Sequence, residues 1–294
     1  MNAGGRIAAL THPGPPSPSR LIAVATRADP VPVQVPGGIE LLTALSRAAE
    51  ALGVESAQVE LLGGILRNVQ YSLPQDCRDN TGRALVYSDI RTARGPVNLL
   101  SGSVTLGSLE GRPYLHCHAA WIDTAGVVQA GHVWPQTTIG PSPLAAVVHP
   151  LPGVSSRNAV DPETGMPVFT PYRSGPAGTT GCRVVLARVL PGEDLLRAAS
   201  RMCAQADIRR ASIRASLGSL VGPIFLEKEP TAPLPGPCAE LVSLWGTVDG
   251  SRPVEPFHVI VGDATGAVHG GIIDPASSRV AVTVELLVTE ESPP

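Results

Sequence analysis

The sequence predicts two tandem copies of one unit that combines an α-helix with several β-strands. A helical pattern of apolar residues begins near Leu41-Leu42, ends at Gly53 and is followed by the strand-like residues 57–62. The same succession begins again at Leu195-Leu196, 154 residues further along the chain. Two copies of about 120 residues are typical of paired domains, because solenoid repeats are only ~20–50 residues long.

The later part of each copy is predicted to contain a β-hairpin. Asp123-Thr124-Ala125-Gly126 is echoed by Asp263-Ala264-Thr265-Gly266, and both turns lie between strand-like runs. Asp followed by Gly at this spacing favours a type I turn that ends in a left-handed residue. Each copy is therefore expected to run strand, helix, strand, loop, strand, hairpin and final strand.

The domain boundaries follow from the repeat and from a change in composition. Residues 20–150 form the first predicted domain and residues 181–294 the second. Between them, residues 151–180 are rich in proline and glycine and show little periodicity, which indicates a linker.

Composition excludes several classes of protein. The chain has 22 basic and 25 acidic residues and no cluster of Lys and Arg, which disfavours nucleic acid as a partner. The five cysteines lack CxxC spacing, so reduced thiols in a cytoplasmic protein are expected rather than a disulfide framework. Residues 1–18 do not have the pattern of a signal peptide, and no apolar run reaches the ~20 residues of a membrane span.

Three of the seven histidines lie close together in the first copy. His116 and His118 are two residues apart on a predicted strand, so they project from one face while Cys117 projects from the other. If the turn at residues 123–126 has three loop residues and a bulge at Gly126, His132 lies directly opposite His118. Opposed residues share a face, with Cβ atoms roughly 5 Å apart. The sequence therefore predicts that three imidazoles converge.

Converging neutral imidazoles are typical ligands of zinc or another divalent transition metal. Three unrelated polar side chains on a solvated face are the alternative, and three histidines on one face favour the metal. Three protein ligands would leave one coordination position open, as in catalytic zinc sites. In the second copy the equivalent positions are Pro256, His258 and Ile272, so the metal site is expected in the first copy only.

Other residues are weaker candidates for the site. Glu60 is a candidate fourth ligand or general base, with a solvated carboxylate as the alternative. Arg67, with Arg83, Arg91 and Arg94, is a candidate partner for a substrate carboxylate, with simple surface solvation as the alternative. Trp134 is expected on the histidine face, where it either walls a pocket or only packs.

The segment Gly-Ser-Val-x-Leu-Gly…Leu-His-x-His…Asp-x-x-Gly-x-Val-x-x-Gly-His resembles the plants-and-prokaryotes conserved (PPC) domain, present here as a tandem pair. The resemblance implies an α+β fold with a curved, mainly antiparallel sheet flanked by helices, and a tendency to form trimers. It also implies that His116, His118 and His132 are the metal ligands. The AT-hook that plant members carry is absent from this sequence. The fold is further similar to that of acetolactate decarboxylase, a zinc enzyme.

Two classes of function follow from these features. The first is a metal-dependent enzyme that decarboxylates or hydrolyses a small carboxylate or carbonyl compound, because a bound ion polarises carbonyls or activates water. The uncompensated charge of an ion held by three neutral rings would favour an anionic substrate. The alternative is a non-catalytic PPC-domain regulatory or DNA-binding protein.

Overall fold

The computed structural model describes residues 10–79, 81–226, 233–249, 256–276 and 278–291. The elements that precede residue 151 are β1 Leu21–Arg27, β2 Val31–Val35, α1 Leu41–Ala51, β3 Ala57–Arg67, β4 Gln70–Ser72, β5 Pro74–Asp76, β6 Leu85–Tyr87, β7 Arg91–Thr92, β8 Val97–Leu109, β9 Arg112–Ile122, β10 Val128–Val133, β11 Thr138–Ile139 and β12 Leu144–Pro150. Those that follow are β13 Val154–Val160, β14 Pro167–Arg173, β15 Arg183–Val189, α2 Leu195–Gln205, β16 Arg210–Val221, β17 Ala239–Asp249, β18 Phe257–Gly262, β19 Val268–Ile273 and β20 Arg279–Glu290.

The two copies have the same strand order, which confirms the predicted repeat. The first sheet contains the path β2-β12-β3-β8-β9-β10, and the second contains β15-β20-β16-β17-β18-β19. In both copies the strand before the helix pairs with the last strand, as β2 pairs with β12 and β15 with β20. The predicted hairpins, β9–β10 and β18–β19, lie at the other end of each path. Neighbouring strands along both paths are antiparallel.

The described part of the chain contains less helix than the predicted α+β class implied. In the described part of the chain there are two α-helices of 11 residues each, one in each copy. Helix α1 buries Leu41, Ala44, Leu45 and Ala49, which lie on one face because a helix repeats every 3.6 residues. The description of a sheet flanked by helices is therefore overstated, and the fold is dominated by β-structure. No helix among the described residues is both long and apolar enough to cross a membrane.

The first strand of the chain joins the sheet of the second copy. Strand β1 pairs with β15 in seven antiparallel residue pairs, from Leu21 opposite Val189 to Arg27 opposite Arg183. Strand β1, which lies at the start of the first predicted domain at residues 20–150, therefore belongs to the sheet of the second copy. Sequence periodicity identifies a strand but not its partner, because pairing depends on contacts between distant parts of the chain.

The segment predicted as a linker is largely a β-hairpin. Strands β13 and β14 pair over seven residues, and β13 also pairs in parallel with β8. Pro167 and Pro171 both lie in β14, which pairs with β13 alone. A proline has no N–H to donate and is tolerated on such an edge strand, which explains how a proline-rich segment forms a hairpin.

We expect Gly107→Ala to destabilise the protein, because β8 and the hairpin approach closely at this glycine. An added Cβ would overlap the carbonyl oxygen of Ser156 and lie 2.8 Å from Cε1 of Phe169. Overpacking of this kind costs roughly 1–3 kcal/mol of unfolding free energy. Gly270→Ala is the matched control, since the nearest atom to its added Cβ is the Val259 carbonyl oxygen at 3.5 Å. Urea denaturation of both variants measures the effect, and equal stability would contradict this packing.

Candidate metal centre

The hairpin between β9 and β10 has the predicted turn. The Asp123 N–H donates to the Val127 carbonyl at 3.0 Å, and the Gly126 N–H donates to the Asp123 carbonyl at 3.0 Å. Gly126 has φ of 80°, in the left-handed region that favours glycine. The Asp123 side chain accepts from two backbone N–H groups of the turn. His132 consequently lies opposite His118, so the predicted register is confirmed.

The three imidazoles converge on one another. Nε2 of His118 lies 3.0 Å from Nε2 of His116 and 3.3 Å from Nδ1 of His132. His118 is buried, with 1% of its surface exposed, and the other two are partly buried. Two nitrogens bound tetrahedrally to one zinc ion at about 2.0–2.1 Å lie roughly 3.3 Å apart. The spacing of the donor atoms therefore fits an ion of this type.

The outer nitrogens of two of these rings are held by the second copy. Nδ1 of His118 is 3.0 Å from the carbonyl oxygen of Leu241, which can only accept, so Nδ1 carries the proton. Nδ1 of His116 is 2.5 Å from a carboxylate oxygen of Glu285, on β20. Such partners fix the tautomer of a ligating histidine and orient its ring. In the neutral rings both Nε2 atoms then carry a free lone pair.

Burial and neighbouring charges move the histidine pKa values in opposite directions. For His116, burial lowers the pKa, but the charge and hydrogen bond of Glu285 and the charge of Glu240 outweigh it and leave the pKa raised. For His132, burial lowers the pKa well below its usual range, and the charges of His116 and His118 lower it further. His132 is therefore neutral, the state in which imidazole binds a metal.

A cavity of about 90 Å³ adjoins the histidines. Trp134 forms part of its wall, with its ring centre 5.4 Å from that of His132 and its Nε1 donating to Ser72 Oγ at 2.9 Å. Trp134 was predicted either to wall a pocket or only to pack, and it forms part of the pocket wall. The hairpin β13–β14 covers the cavity from another side, and second-copy residues complete it. The pocket lies between the two copies.

Glu60 and the arginines lie elsewhere. Glu60 accepts from His149 Nε2 at 2.9 Å and lines a separate cavity with Arg214. The side chains of Arg67, Arg91 and Arg94 are exposed, and Arg83 pairs with Asp79. None of these residues lines the histidine cavity. Their proposed roles as ligand, base or carboxylate partner therefore gain no support from their positions and stay predictions.

The second copy lacks an equivalent centre. His258 lies opposite Ile272, as the predicted alignment of the two turns requires, and its side chain is exposed. His269 Nε2 donates to a carboxylate oxygen of Asp263 at 2.8 Å, in the turn of its own hairpin. Within the described ranges, His116, His118 and His132 form the one group of His, Cys, Asp or Glu spaced to hold a metal.

Sequence reasoning missed the contribution of Glu240 and Glu285. Both carboxylates are buried, and both lie on second-copy strands that are otherwise apolar at neighbouring positions, such as Ala239-Glu240-Leu241 and Val284-Glu285-Leu286. A charged residue is almost never fully buried unless it is paired. A glutamate inside a predicted buried strand was thus the signal that could have identified them.

The family model of the Plants and Prokaryotes Conserved (PCC) domain matches residues 23–149 and 177–292. Among solved structures, a metal-containing protein from Archaeoglobus fulgidus is 19% identical and has a TM-score of 0.39, with 49% of this chain and 94% of that chain covered. A PPC protein from Pyrococcus horikoshii is 20% identical, with a TM-score of 0.39 and coverage of 50% and 94%. A candidate DNA-binding protein from Ralstonia eutropha is 22% identical, with a TM-score of 0.36 and coverage of 47% and 88%.

A search of curated proteins found no match. The resemblance to acetolactate decarboxylase is not confirmed by these comparisons. The two segments that the family model matches correspond to the two copies seen in the sheets, and together they span most of the chain. The chain belongs to the Plants and Prokaryotes Conserved (PCC) domain family and carries the domain twice.

Proposed function

We propose that this chain is a metal-binding protein with a non-catalytic, regulatory role, in which His116, His118 and His132 hold one divalent transition ion. The observation that carries the proposal is the convergence of three buried or half-buried imidazoles, whose facing ring nitrogens lie 3.0 Å and 3.3 Å apart. Imidazole nitrogen suits zinc, copper, iron and nickel. Zinc is our first choice because the donor spacing fits its tetrahedral geometry.

The surroundings of the histidines support a binding role more than catalysis. The adjoining cavity of about 90 Å³ is well below the roughly 300–1,000 Å³ of typical small-molecule sites. The two carboxylates that contact the histidines would balance the two charges of a divalent ion. With these carboxylates nearby, the bound ion would attract an anionic substrate less strongly than an ion surrounded only by three neutral imidazoles.

DNA is not the partner that we propose. The chain has a net charge of -3 and 22 basic residues that form no run in the sequence. Binding to duplex DNA at physiological salt rests on several phosphate contacts from Lys and Arg. The trimer that the family resemblance implies stays a prediction.

A metal-dependent enzyme remains the second candidate, and the cavity beside the histidines is the observation that favours it. Its space corresponds to about three water molecules, enough for a small carboxylate or carbonyl compound next to a bound ion. There the ion would polarise a carbonyl group or lower the pKa of a bound water. Decarboxylation and hydrolysis are the reactions that such a site could support.

The test begins with elemental analysis of protein that was purified without chelator and then offered zinc. We expect about one ion per chain, and a protein without stoichiometric metal would refute the proposal. The zinc-loaded protein is then screened with small oxo- and hydroxy-acids, lactones and esters. We expect no turnover that depends on His118. Turnover that is lost in His118→Ala would decide for the enzyme.

A further inference from the structure

We propose that the hairpin β13–β14 is a lid over the histidine cavity, held shut by two buried ion pairs at its tip, and that its opening controls metal exchange. The control of metal exchange rests on the proposed function, whereas the movement of the hairpin is tested without metal. The hairpin lies in the segment between the two copies. Its strands and turn line the cavity with Asn158, Met166, Pro167, Val168 and Phe169.

The closed cavity leaves little room for an ion to enter or leave. Its volume of about 90 Å³ corresponds to about three water molecules. The central histidine, His118, has 1% of its surface exposed. A hydrated divalent ion is larger than this space, so one wall of the cavity must move during metal exchange.

The hairpin is held to the first sheet by a short stretch of pairing. Strand β13 pairs with β8 at two positions, Arg157 opposite Ser108 and Asn158 opposite Leu109, and β14 pairs with β13 alone. The histidine strand β9, in contrast, pairs with β8 on one side and with β10 on the other. Segments with few hydrogen bonds to their surroundings open at a lower free energy than strands inside a sheet. The hairpin can therefore move as a unit while both sheets stay folded.

Two ion pairs, which we call the latch, fix the tip of the hairpin to residues outside it. Asp161 Oδ1 lies 2.8 Å from Nη2 of Arg188, on β15, and Asp161 Oδ2 accepts from the N–H and the hydroxyl of Thr164. Glu163 accepts from both Nη atoms of Arg20, at 2.8 Å and 3.0 Å. Burial would raise the pKa of both carboxyls, but the arginines outweigh it and leave both pKa values lowered. Both pairs are therefore charged at neutral pH.

Burial makes the latch strong. Asp161, Glu163 and Arg188 have 7%, 5% and 4% of their surface exposed. Removal of one partner from a buried pair leaves an uncompensated buried charge and is strongly destabilising, whereas exposed pairs contribute little. Loss of either carboxylate should therefore favour the open hairpin, in which the remaining arginine regains water.

Cys238 provides a readout of this movement that needs no metal. It is buried in an apolar cluster that Met166 and Val168 of the hairpin share with strands of the second copy. A thiol at this position should react with a maleimide when the hairpin opens, since a buried cysteine is inert. Cys117 lies in the core of the first copy and serves as the internal reference.

Labelling of the metal-free protein is measured by mass spectrometry of its peptides. Cys238 should react at least about tenfold faster than Cys117, because local opening needs less free energy than unfolding of a core. Asp161→Asn and Glu163→Gln should each accelerate Cys238 by at least about tenfold and leave Cys117 unchanged, which also shows that the variants are folded. Glu291→Gln, the same change in a carboxylate paired with an arginine outside the hairpin, should alter neither rate. Equal rates for the two cysteines, or no response of Cys238 to the latch variants, would overturn the lid.

Rates of zinc binding and release test what the lid controls. Because no hairpin residue is a predicted ligand, loss of the latch should raise the association and dissociation rates by the same factor, at least about tenfold, and leave the Kd unchanged. A rise in the dissociation rate alone would indicate damage to the histidine centre and would overturn the control of exchange. If the unsubstituted protein binds no zinc, the proposed function fails, and the labelling of Cys238 still decides whether the hairpin opens.

Discussion

His118→Ala is expected to abolish stoichiometric metal binding. The Nε2 atom of His118 is 3.0 Å and 3.3 Å from the donor atoms of the other two histidines, so it is central to the site. Loss of an outer partner of a ligand already costs about 10–100-fold in metal affinity, and loss of the ligand itself should cost at least about 100-fold. Chelator competition followed by elemental analysis measures the change.

His258→Ala is the matched control for this variant. His258 occupies the corresponding position in the hairpin of the second copy, but it is exposed and lies opposite Ile272. Cys117→Ser is also expected to retain the metal, because Cys117 is buried in the core on the other face of β9. Metal loss in His258→Ala, or retention of a full equivalent of metal in His118→Ala, would show that the ion binds elsewhere.

The stabilisation that zinc provides is expected to decrease as the pH falls. Protons compete with the metal for His116, whose pKa is raised above its usual 6.5 by Glu285 and Glu240 in spite of burial. Zinc affinity should therefore begin to fall above pH 6.5 and continue to fall below it. His132 does not add to this loss in the same range, because its pKa lies well below 6.5. Zinc at 100–1,000 times its Kd adds about 2.7–4.1 kcal/mol to the free energy of unfolding.

The metal-free protein should show a different pH dependence. The raised pKa of His116 contributes stability that is present below the unfolded value of 6.5 and is lost as the pH rises through the folded value. The lowered pKa of His132 contributes stability that is present above 6.5 and is lost as the pH falls. Urea denaturation with and without zinc, between about pH 5 and 8, measures both effects. A zinc-dependent gain that stays constant across this range would contradict the assignment of His116 as a ligand.

The local part of the site could be predicted from the sequence. An Asp and a Gly three residues apart determine the hairpin turn, and strand alternation then brings the three histidines to one face. The same register count correctly predicted His258 opposite Ile272 in the second copy. These relations depend on short-range hydrogen bonds and on the two-residue period of a strand, which a single sequence records.

The parts that could not be predicted depend on packing between the copies. Glu240 and Glu285 reach the histidines only because the second sheet packs against the first, across more than a hundred residues of chain. The argument for an anionic substrate assumed an ion with uncompensated charge, and these carboxylates remove that premise. The hairpin at residues 154–173 was also missed, because proline content says nothing about whether a strand lies at an edge.

The pairing of β1 with the sheet of the second copy has a consequence for the evolution of this chain. A tandem duplication normally leaves two modules that recombination can shuffle, lose or replace one at a time. Here β15 borders β1 on one side, and β1 lies at the start of the first module. Loss of the upstream module with its leading strand would uncover the Arg183–Val189 edge, and bare edges invite aggregation. The two copies are therefore expected to be inherited together, because loss of the first would leave the second with an unpaired strand edge.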